Sequence, residues 1–349
     1  MQASDRPLPT IDDVAVAAKV STATVSRVFN RPGAVREALR TRVEAAVAQL
    51  GYVPHSGARS LMLGRTGTVG AIFPTVDNAI FAKAIDALQR RLAEAGYQLL
   101  IATCDYDIDA EMRQAVNLVS RGADALALCG FSQRPELLQL LHQRGVPCVH
   151  VMACPGPPSA ICVGFDNAAA MAQATRHLLD LGHRRIAMLA GVTQHNDRAS
   201  ARVDGVRRAL KQAGLTLPPQ RLVERRYGLA DAREGFRVLM QARPAPTAVL
   251  CGNDVLAFGA LLEAQRMGLR VPADVSIVGF DDLELAHHVQ PSLTTVRVPA
   301  EPMWRTAAER LIDALRGEAV PRETKIEVAL VLRESTGPAP RVKPRRERE

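Results

Sequence analysis

"TIDDVAVAAKVSTATVSRVFNRPGAV", residues 10–35, holds two helix starts and few side chains large enough to build a core. Thr10 with Asp13 three residues on is a capping pair, and Val14, Ala15, Ala17 and Ala18 follow as a small apolar stripe. Ser21 can cap a second helix in which Val25, Val28 and Phe29 recur at helical spacing, leaving Thr22, Ala23, Ser26 and Arg27 on the other side. A third stretch, "REALRTRVEAAVAQLGY", puts Leu39, Val43, Ala46, Val47 and Leu50 on one face and stops at Gly51, a residue suited to a helix end. Three short helices make one small bundle. Two of them joined by a tight turn, the second presenting small polar residues and an arginine, fit the helix-turn-helix plan, in which the second helix lies in the major groove. The expected partner is double-stranded DNA.

The charge distribution agrees. The 349 residues carry a net charge of +8, but residues 1–65 hold nine Lys/Arg against five Asp/Glu and residues 333–349 hold six against three. The body between is balanced at 29 against 28. A basic head on a near-neutral body fits a nucleic-acid module attached to something that is not one. The tail "RVKPRRERE" reads as a charged, disordered end.

With 47% apolar and 23% charged residues and no apolar run of membrane length, the chain reads as globular, soluble and multi-domain. The start "MQASDRPLPT" has no apolar stretch of the secretory kind, so a cytoplasmic protein with free thiols is expected. Cys148, Cys154 and Cys162 are too widely spaced for paired zinc-ligand motifs, and the other cysteines sit in strand-like runs such as "ALALCG". No metal and no cofactor is expected.

From Thr68 onward, short apolar runs alternate with helical stretches: "TVGAIF", "YQLLIATC", "ADALALC", "VPCVHV", then "RIAMLAG", "TAVLCG" and "VSIVGF". That alternation predicts parallel α/β sheets, and the runs fall into two sets on either side of "ICVGFDNAAA", hence two similar lobes. Ligands of such sheets bind beyond the carboxyl ends of the strands. The segments there, "PTVDN", "TCDYD", "AGVTQHNDR", "CGNDV" and "GFDDLE", are rich in Asp, Asn, Thr and Arg, as a site for a small hydroxylated or charged ligand requires. None carries a phosphate-cradling glycine loop, a GxSxG turn or an HExxH helix. Only Asp281, Asp282, His287 and His288 could serve as acid and base, so no enzyme is expected.

Between bundle and body, "GYVPHSGARSLMLGRTGT" has Pro54, Gly57 and Gly64 around a segment of helical composition about two turns long, too short to be stable alone. It is expected to fold conditionally, its ordering on DNA acting as a control point. The expected domains are a helix-turn-helix headpiece at 1–53, a hinge helix and linker at 54–65, a two-lobed body at 66–335 and a tail at 336–349.

Taken in order, "DVAVAAKVSTATVSRVFN", "LGYVPHSGARSL", "GRTGTVGAIFP", "VGFDNAAAMAQATRHLLDLGHRRIAMLAG", "DRASARVDGV", "CGNDVLAFGAL" and "VPADVSIVGFDDLELAHHVQPSLTTV" resemble the lactose-repressor (LacI/GalR) family of bacterial transcription regulators. The resemblance runs over almost the entire chain, and its strength lies in order and spacing together. It implies a small all-α helix-turn-helix headpiece, a hinge helix, and an α/β two-lobed effector domain like a periplasmic binding protein. It also implies a homodimer on a near-palindromic operator, acting as a repressor switched by a sugar, polyol or sugar acid. A solute-binding protein of the periplasmic type is the alternative, and the headpiece argues against it.

By position, the resemblance makes Thr22, Ala23 and Arg27 the base-reading face and Leu61 the hinge residue that wedges into the minor groove. Thr10, Ser21, Thr24, Ser26 and Asn30 would position the phosphate backbone. Phe81, Arg202, Asn253 and Asp281 would hold the effector. Three of these have competing structural readings. Phe81 could be core, Arg202 could pair with Asp204 or Asp197, and next to Asn253 it is Asp254 that is expected to cap the following helix. The chain departs from the family pattern at Lys19 for a turn glycine, Arg36 for a capping Ser, His55 for Asn, and Ala153 for an Asp of several sugar-binding members. Its tail lacks the Leu heptads of a tetramer.

Overall fold

Thr10 opens the first helix through a complete capping box: its hydroxyl accepts from the Asp13 N–H at 3.3 Å, and the Asp13 carboxylate accepts from the Thr10 N–H at 2.8 Å. The structure, a computed structural model, describes residues 8–30, 32–53 and 65–340. In it the chain divides into a headpiece, through Thr66, and a body that starts at Gly67. The headpiece has α1 (Ile11–Ala18), α2 (Thr22–Asn30), a 3-10 turn (Pro32–Ala34) and α3 (Glu37–Leu50). Val14, Ala15, Ala18, Val25, Val28, Val43, Ala46 and Tyr52 form its core, with Ile11, Phe29 and Leu50 packed around them. Ala17, expected in the stripe, is exposed: α1 has two turns and buries only the positions that face both neighbours. The hinge residues 54–64, Leu61 among them, and tail residues 341–349 lie outside the described residues.

Both headpiece departures leave a physical trace. Lys19 ends α1 in the left-handed conformation, φ 51° and ψ 50°, where a Cβ is unwelcome. Arg42 of α3 offsets this by donating to the carbonyls of Ala18 and Lys19. Arg36 precedes α3 with no side-chain cap bond. Lys19→Gly is therefore expected to stabilise the headpiece by about 1 kcal/mol, the left-handed penalty exceeding the extra chain entropy of glycine. Amide exchange at Val14 and Val25 in the full chain should slow about fivefold. Unchanged or faster exchange would mean that Lys19 carries no such penalty.

The body's first lobe runs β1 (Thr68–Phe73), α4 (Ala79–Glu94), β2 (Gln98–Thr103), α5 (Ile108–Ser120), β3 (Ala125–Cys129), α6 (Pro135–Gln143), β4 (Cys148–Val151) and β5 (Ile161–Gly164). The second runs α7 (Asn167–Asp180), β6 (Ile186–Gly191), α8 (Asp197–Gln212), β7 (Leu222–Arg225), α9 (Leu229–Gln241), β8 (Ala248–Cys251), α10 (Asp254–Arg266), β9 (Ser276–Asp281), α11 (Leu285–His288) and β10 (Thr294–Arg297). The chain then returns: α12 (Ala300–Arg316) and β11 (Glu323–Lys325) join the first lobe, and β12 (Ala329–Val331) the second. Each lobe thus holds a six-stranded sheet, ordered β11-β5-β4-β3-β1-β2 and β12-β10-β9-β8-β6-β7. All pairs are parallel except β10 with β12. Helices cover both faces, which is why central strands such as "ALALC" and "IAMLAG" are buried at every residue.

In both sheets the strand order reverses at one place, beside β1 and beside β6. The crevice at the carboxyl ends of the strands is where such sheets bind ligands. At the C-terminus the body extends further than expected: residues 336–340, assigned above to the tail, lie on the second lobe. Ala339 N–H donates to the Leu181 carbonyl at 2.9 Å, and the Gly337 carbonyl is 3.0 Å from His183 Nε2.

Candidate functional site

In the headpiece, α2 is divided lengthwise. Val25 and Val28 are buried, while Thr22, Ala23 and Arg27 are exposed on the opposite side and Thr24 and Ser26 are half-buried. Ser21 caps the helix, its Oγ accepting from the Thr24 N–H at 3.2 Å and lying 3.0 Å from the Thr24 hydroxyl. Thr10 and Ser21 thus each perform a capping role on an exposed helix start, where free N–H groups and the helix dipole favour an anion. The side chain of Asn30 lies outside the described residues.

In the body, loops from both sheets converge on a cleft lined by Asn78, Ile80, Phe81, Tyr106, Met152, Asn196, Arg198, Arg202, Tyr227, Asn253 and Asp281. All four residues expected to hold an effector are among them. Phe81 is also core: while lining the cleft it is buried and meets Phe73 edge-on at 5.8 Å.

Arg202, on α8, takes neither of its proposed carboxylate partners. Its Nε donates to Asn167 Oδ1 at 2.9 Å, its Nη1 donates to the Gly252 carbonyl at 2.6 Å, and its guanidinium lies 4.0 Å from the centre of the Phe280 ring. Asn167 in turn donates to the Met152 carbonyl of the first lobe at 2.9 Å. Asp281 ends β9 with φ 117°, a conformation that costs an L-residue energy and recurs where a site holds it. Burial pushes its carboxyl up to about 7, against the pull of the Arg202 charge.

Asn253, not Asp254, caps α10: its Oδ1 accepts from the Leu256 N–H at 2.9 Å. Asp254 is fully buried and accepts instead from the Leu283 N–H at 2.7 Å and the Thr295 hydroxyl at 2.6 Å. Burial, then the nearby Asp281, pushes its carboxyl up to about 8. Asp282, considered above as half of an acid–base pair, accepts from Arg297 Nε and Arg333 Nη2, each at 2.6 Å, and is committed to that ion cluster.

Several lining residues escaped the sequence reading: Asn78, Tyr106, Asn196, Arg198 and Tyr227. Arg198 was within reach, because it stands one helical turn before Arg202 and so shares its face of α8. The contacts closing the cleft join residues remote in sequence. Asp197 of the second lobe accepts from the Phe131 N–H at 2.9 Å and the Ser132 hydroxyl at 3.3 Å, and its own N–H donates to Ser132 Oγ at 2.9 Å. A Cβ on Gly130 would collide with that carboxylate. At the rim Arg226 pairs with Asp105 at 3.1 Å, and the rings of Tyr106 and Tyr227 lie 5.7 Å apart.

Cys104, Cys129, Cys148, Cys154, Cys162 and Cys251 are free thiols in or against the lobes' interior, and burial pushes that of Cys129 up to about 12. Among the described residues no group of His, Cys, Asp and Glu could hold a metal ion, and no helix is long and apolar enough to cross a membrane.

Residues 10–55 match the description "Bacterial regulatory proteins, lacI family", and residues 175–336 match a periplasmic binding protein-like domain. The chain is 33% identical to the HTH-type transcriptional regulator GntR of Escherichia coli (strain K12) over 312 residues, 89% of this chain and 93% of that one. It is likewise 33% identical to the HTH-type transcriptional repressor CytR of Escherichia coli (strain K12) over 334 residues, 95% and 97% of the two chains. The lac repressor dimer bound to operator and the anti-inducer ONPF superposes with a TM-score of 0.83 at 27% identity, covering 95% of this chain and 100% of that one.

Proposed function

Because the chain belongs to the lacI family of bacterial regulatory proteins, and is a helix-turn-helix transcriptional regulator like its relatives, we propose that it is a cytoplasmic repressor whose operator grip is set by a small ligand held between its lobes. The observation that carries the ligand part is convergence: Phe81 from the first lobe and Arg202, Asn253 and Asp281 from the second meet around one cavity at the strand ends. The ligand class is a sugar, polyol or sugar acid, since Arg, Asn and Asp offer the donors and acceptors that hydroxyls and carboxylates need. On the DNA side Thr22, Ala23 and Arg27 read bases, Thr10, Ser21, Thr24, Ser26 and Asn30 hold phosphates, and Leu61 wedges into the minor groove.

Two copies act together on a near-palindromic operator. The dimer reading is supported by an apolar groove lined by Leu229, Phe258, Leu262, Leu285 and Val289, in which Leu285 is 52% exposed. A patch of this kind on a folded body marks an interaction surface.

Footprinting of the full-length protein tests the DNA part. The expected result is a symmetric protected site with affinity falling steeply as salt rises, and a cost of about 1 to 3 kcal/mol for Arg27→Ala. An asymmetric footprint, or affinity indifferent to ionic strength, would overturn it.

A further inference from the structure

We propose that the ligand of this cleft is an acid, a small hydroxylated monocarboxylate, and that Arg198 rather than Arg202 holds its charge. The inference rests on the cleft being the effector site and goes further by naming the ligand's charge and the residue that selects it.

The two arginines share one face of α8 and differ in how they are employed. Arg202 spends its Nε and Nη1 on Asn167 and Gly252 and lays its plane on Phe280. Arg198 is nearly as deeply placed, with 7% of its side chain exposed, yet its buried Nη1 has no hydrogen-bond partner among the described residues. Its nearest carboxylate, Asp197, is 3.8 Å away and already accepts from Phe131 and Ser132 across the lobe boundary. A buried cationic donor without an acceptor is unfavourable, so a group that brings an anionic oxygen to it is strongly favoured.

The surroundings point the same way. Arg198 lines both the cleft and an adjoining recess, so it stands where the two meet. Space for it comes from Gly130, whose missing Cβ would otherwise collide with Asp197 and crowd the Arg198 guanidinium. It is the second residue of α8, at the positive end of that helix's dipole. Phe81, Ile80 and Met152 supply an apolar wall for a carbon skeleton, while Asn78, Asn253 and Asp281 offer partners for hydroxyls.

The same surroundings set the charge. Asp197 adjoins Arg198, and Glu111, which accepts from Gln133 Nε2 at 3.1 Å, lines the recess. A second negative charge on the ligand would meet these carboxylates, which favours a carboxylate over a phosphate ester.

The test is calorimetry and thermal shift on the full-length protein. The probes are the aldonates and uronates of glucose and galactose, set against the free sugars, their alditols and their phosphate esters. At least one acid is expected to bind, and about 30-fold to several thousand-fold more tightly than its neutral counterparts, the range for a buried charge-assisted contact. Arg198→Gln should erase that preference, lowering acid affinity by the same factor while leaving neutral compounds unchanged. Arg198→Lys should restore part of it. The ligand-free melting temperature of Arg198→Gln is expected to change little, since the substitution removes a buried donor with no hydrogen-bond acceptor among the described residues together with the 3.8 Å ion pair to Asp197, two effects of opposite sign.

Four results would overturn the inference: neutral sugars binding as tightly as acids, only phosphate esters binding, no acid binding at all, or Arg198→Gln weakening acid and neutral compounds equally. If a neutral sugar binds and shifts operator affinity, the regulator reading stands and only the acid assignment fails. If no probe of any class shifts operator affinity, the effector-site reading itself fails.

Discussion

Arg202→Ala is expected to weaken the effector by about 30-fold to several thousand-fold while sparing operator affinity in its absence. The loss has two origins. The guanidinium edge not spent on Asn167 and Gly252 is removed from the cleft, and the two acceptors it served, Asn167 Oδ1 and the Gly252 carbonyl, become unpaired. Each orphaned group costs on the order of 1 to 3 kcal/mol. Asn167 also holds the Met152 carbonyl of the first lobe, so the substitution loosens a link between the lobes as well as a ligand contact.

Acids and neutral compounds should therefore suffer together in Arg202→Ala, unlike in Arg198→Gln. A ligand moves an equilibrium only by its differential affinity for the two states, so the operator response must fall in step with effector binding. Paired titrations, effector by calorimetry and operator with and without effector, check this. Normal effector binding by Arg202→Ala, or lost operator binding with the effector retained, would remove Arg202 from the ligand site.

Trp304→Ala is expected to destabilise the body by about 3 to 5 kcal/mol, and to do so in the lobe built mainly from residues 68–164. Trp304 is fully buried on α12 and lies 4.8 Å from the Phe73 ring of β1. Its Nε1 has no hydrogen-bond partner among the described residues. Trp304→Phe should consequently cost less than the cavity alone suggests, because it removes a buried donor that nothing satisfies. Denaturant titration measures the size, and amide exchange its location: protection should fall in β1 and β3 before β6 and β8. Loss confined to β6 and β8 would show that α12 does not hold the first lobe together.

The site was legible in part. Asp281 and Asn253 stand at the ends of strands whose apolar runs are plain in the sequence, and a parallel sheet commits those positions to the crevice. Which residue caps α10 was not legible, because Asn253 and Asp254 are both good caps. The choice falls to Asn253 because Leu283 and Thr295, about thirty and forty residues on, claim the Asp254 carboxylate. Arg198 was missed for a related reason. Its proposed importance lies in a buried Nη1 that has no hydrogen-bond acceptor among the described residues, which is visible only when every neighbour is in place.

What the sequence determined by itself is the local and the periodic: the Thr10–Asp13 capping box, the divided face of α2, and the continuous apolar strands of two sheets. These depend on hydrogen bonds and burial patterns spanning three or four residues, which any window of the chain contains. The tertiary structure alone decided that α12 and β11 return to the first lobe, that residues 336–340 lie on the second lobe, and that Asp197 closes the cleft on Phe131 and Ser132. Those contacts join residues more than sixty positions apart, and their free energy comes from burying groups against partners that no local pattern names.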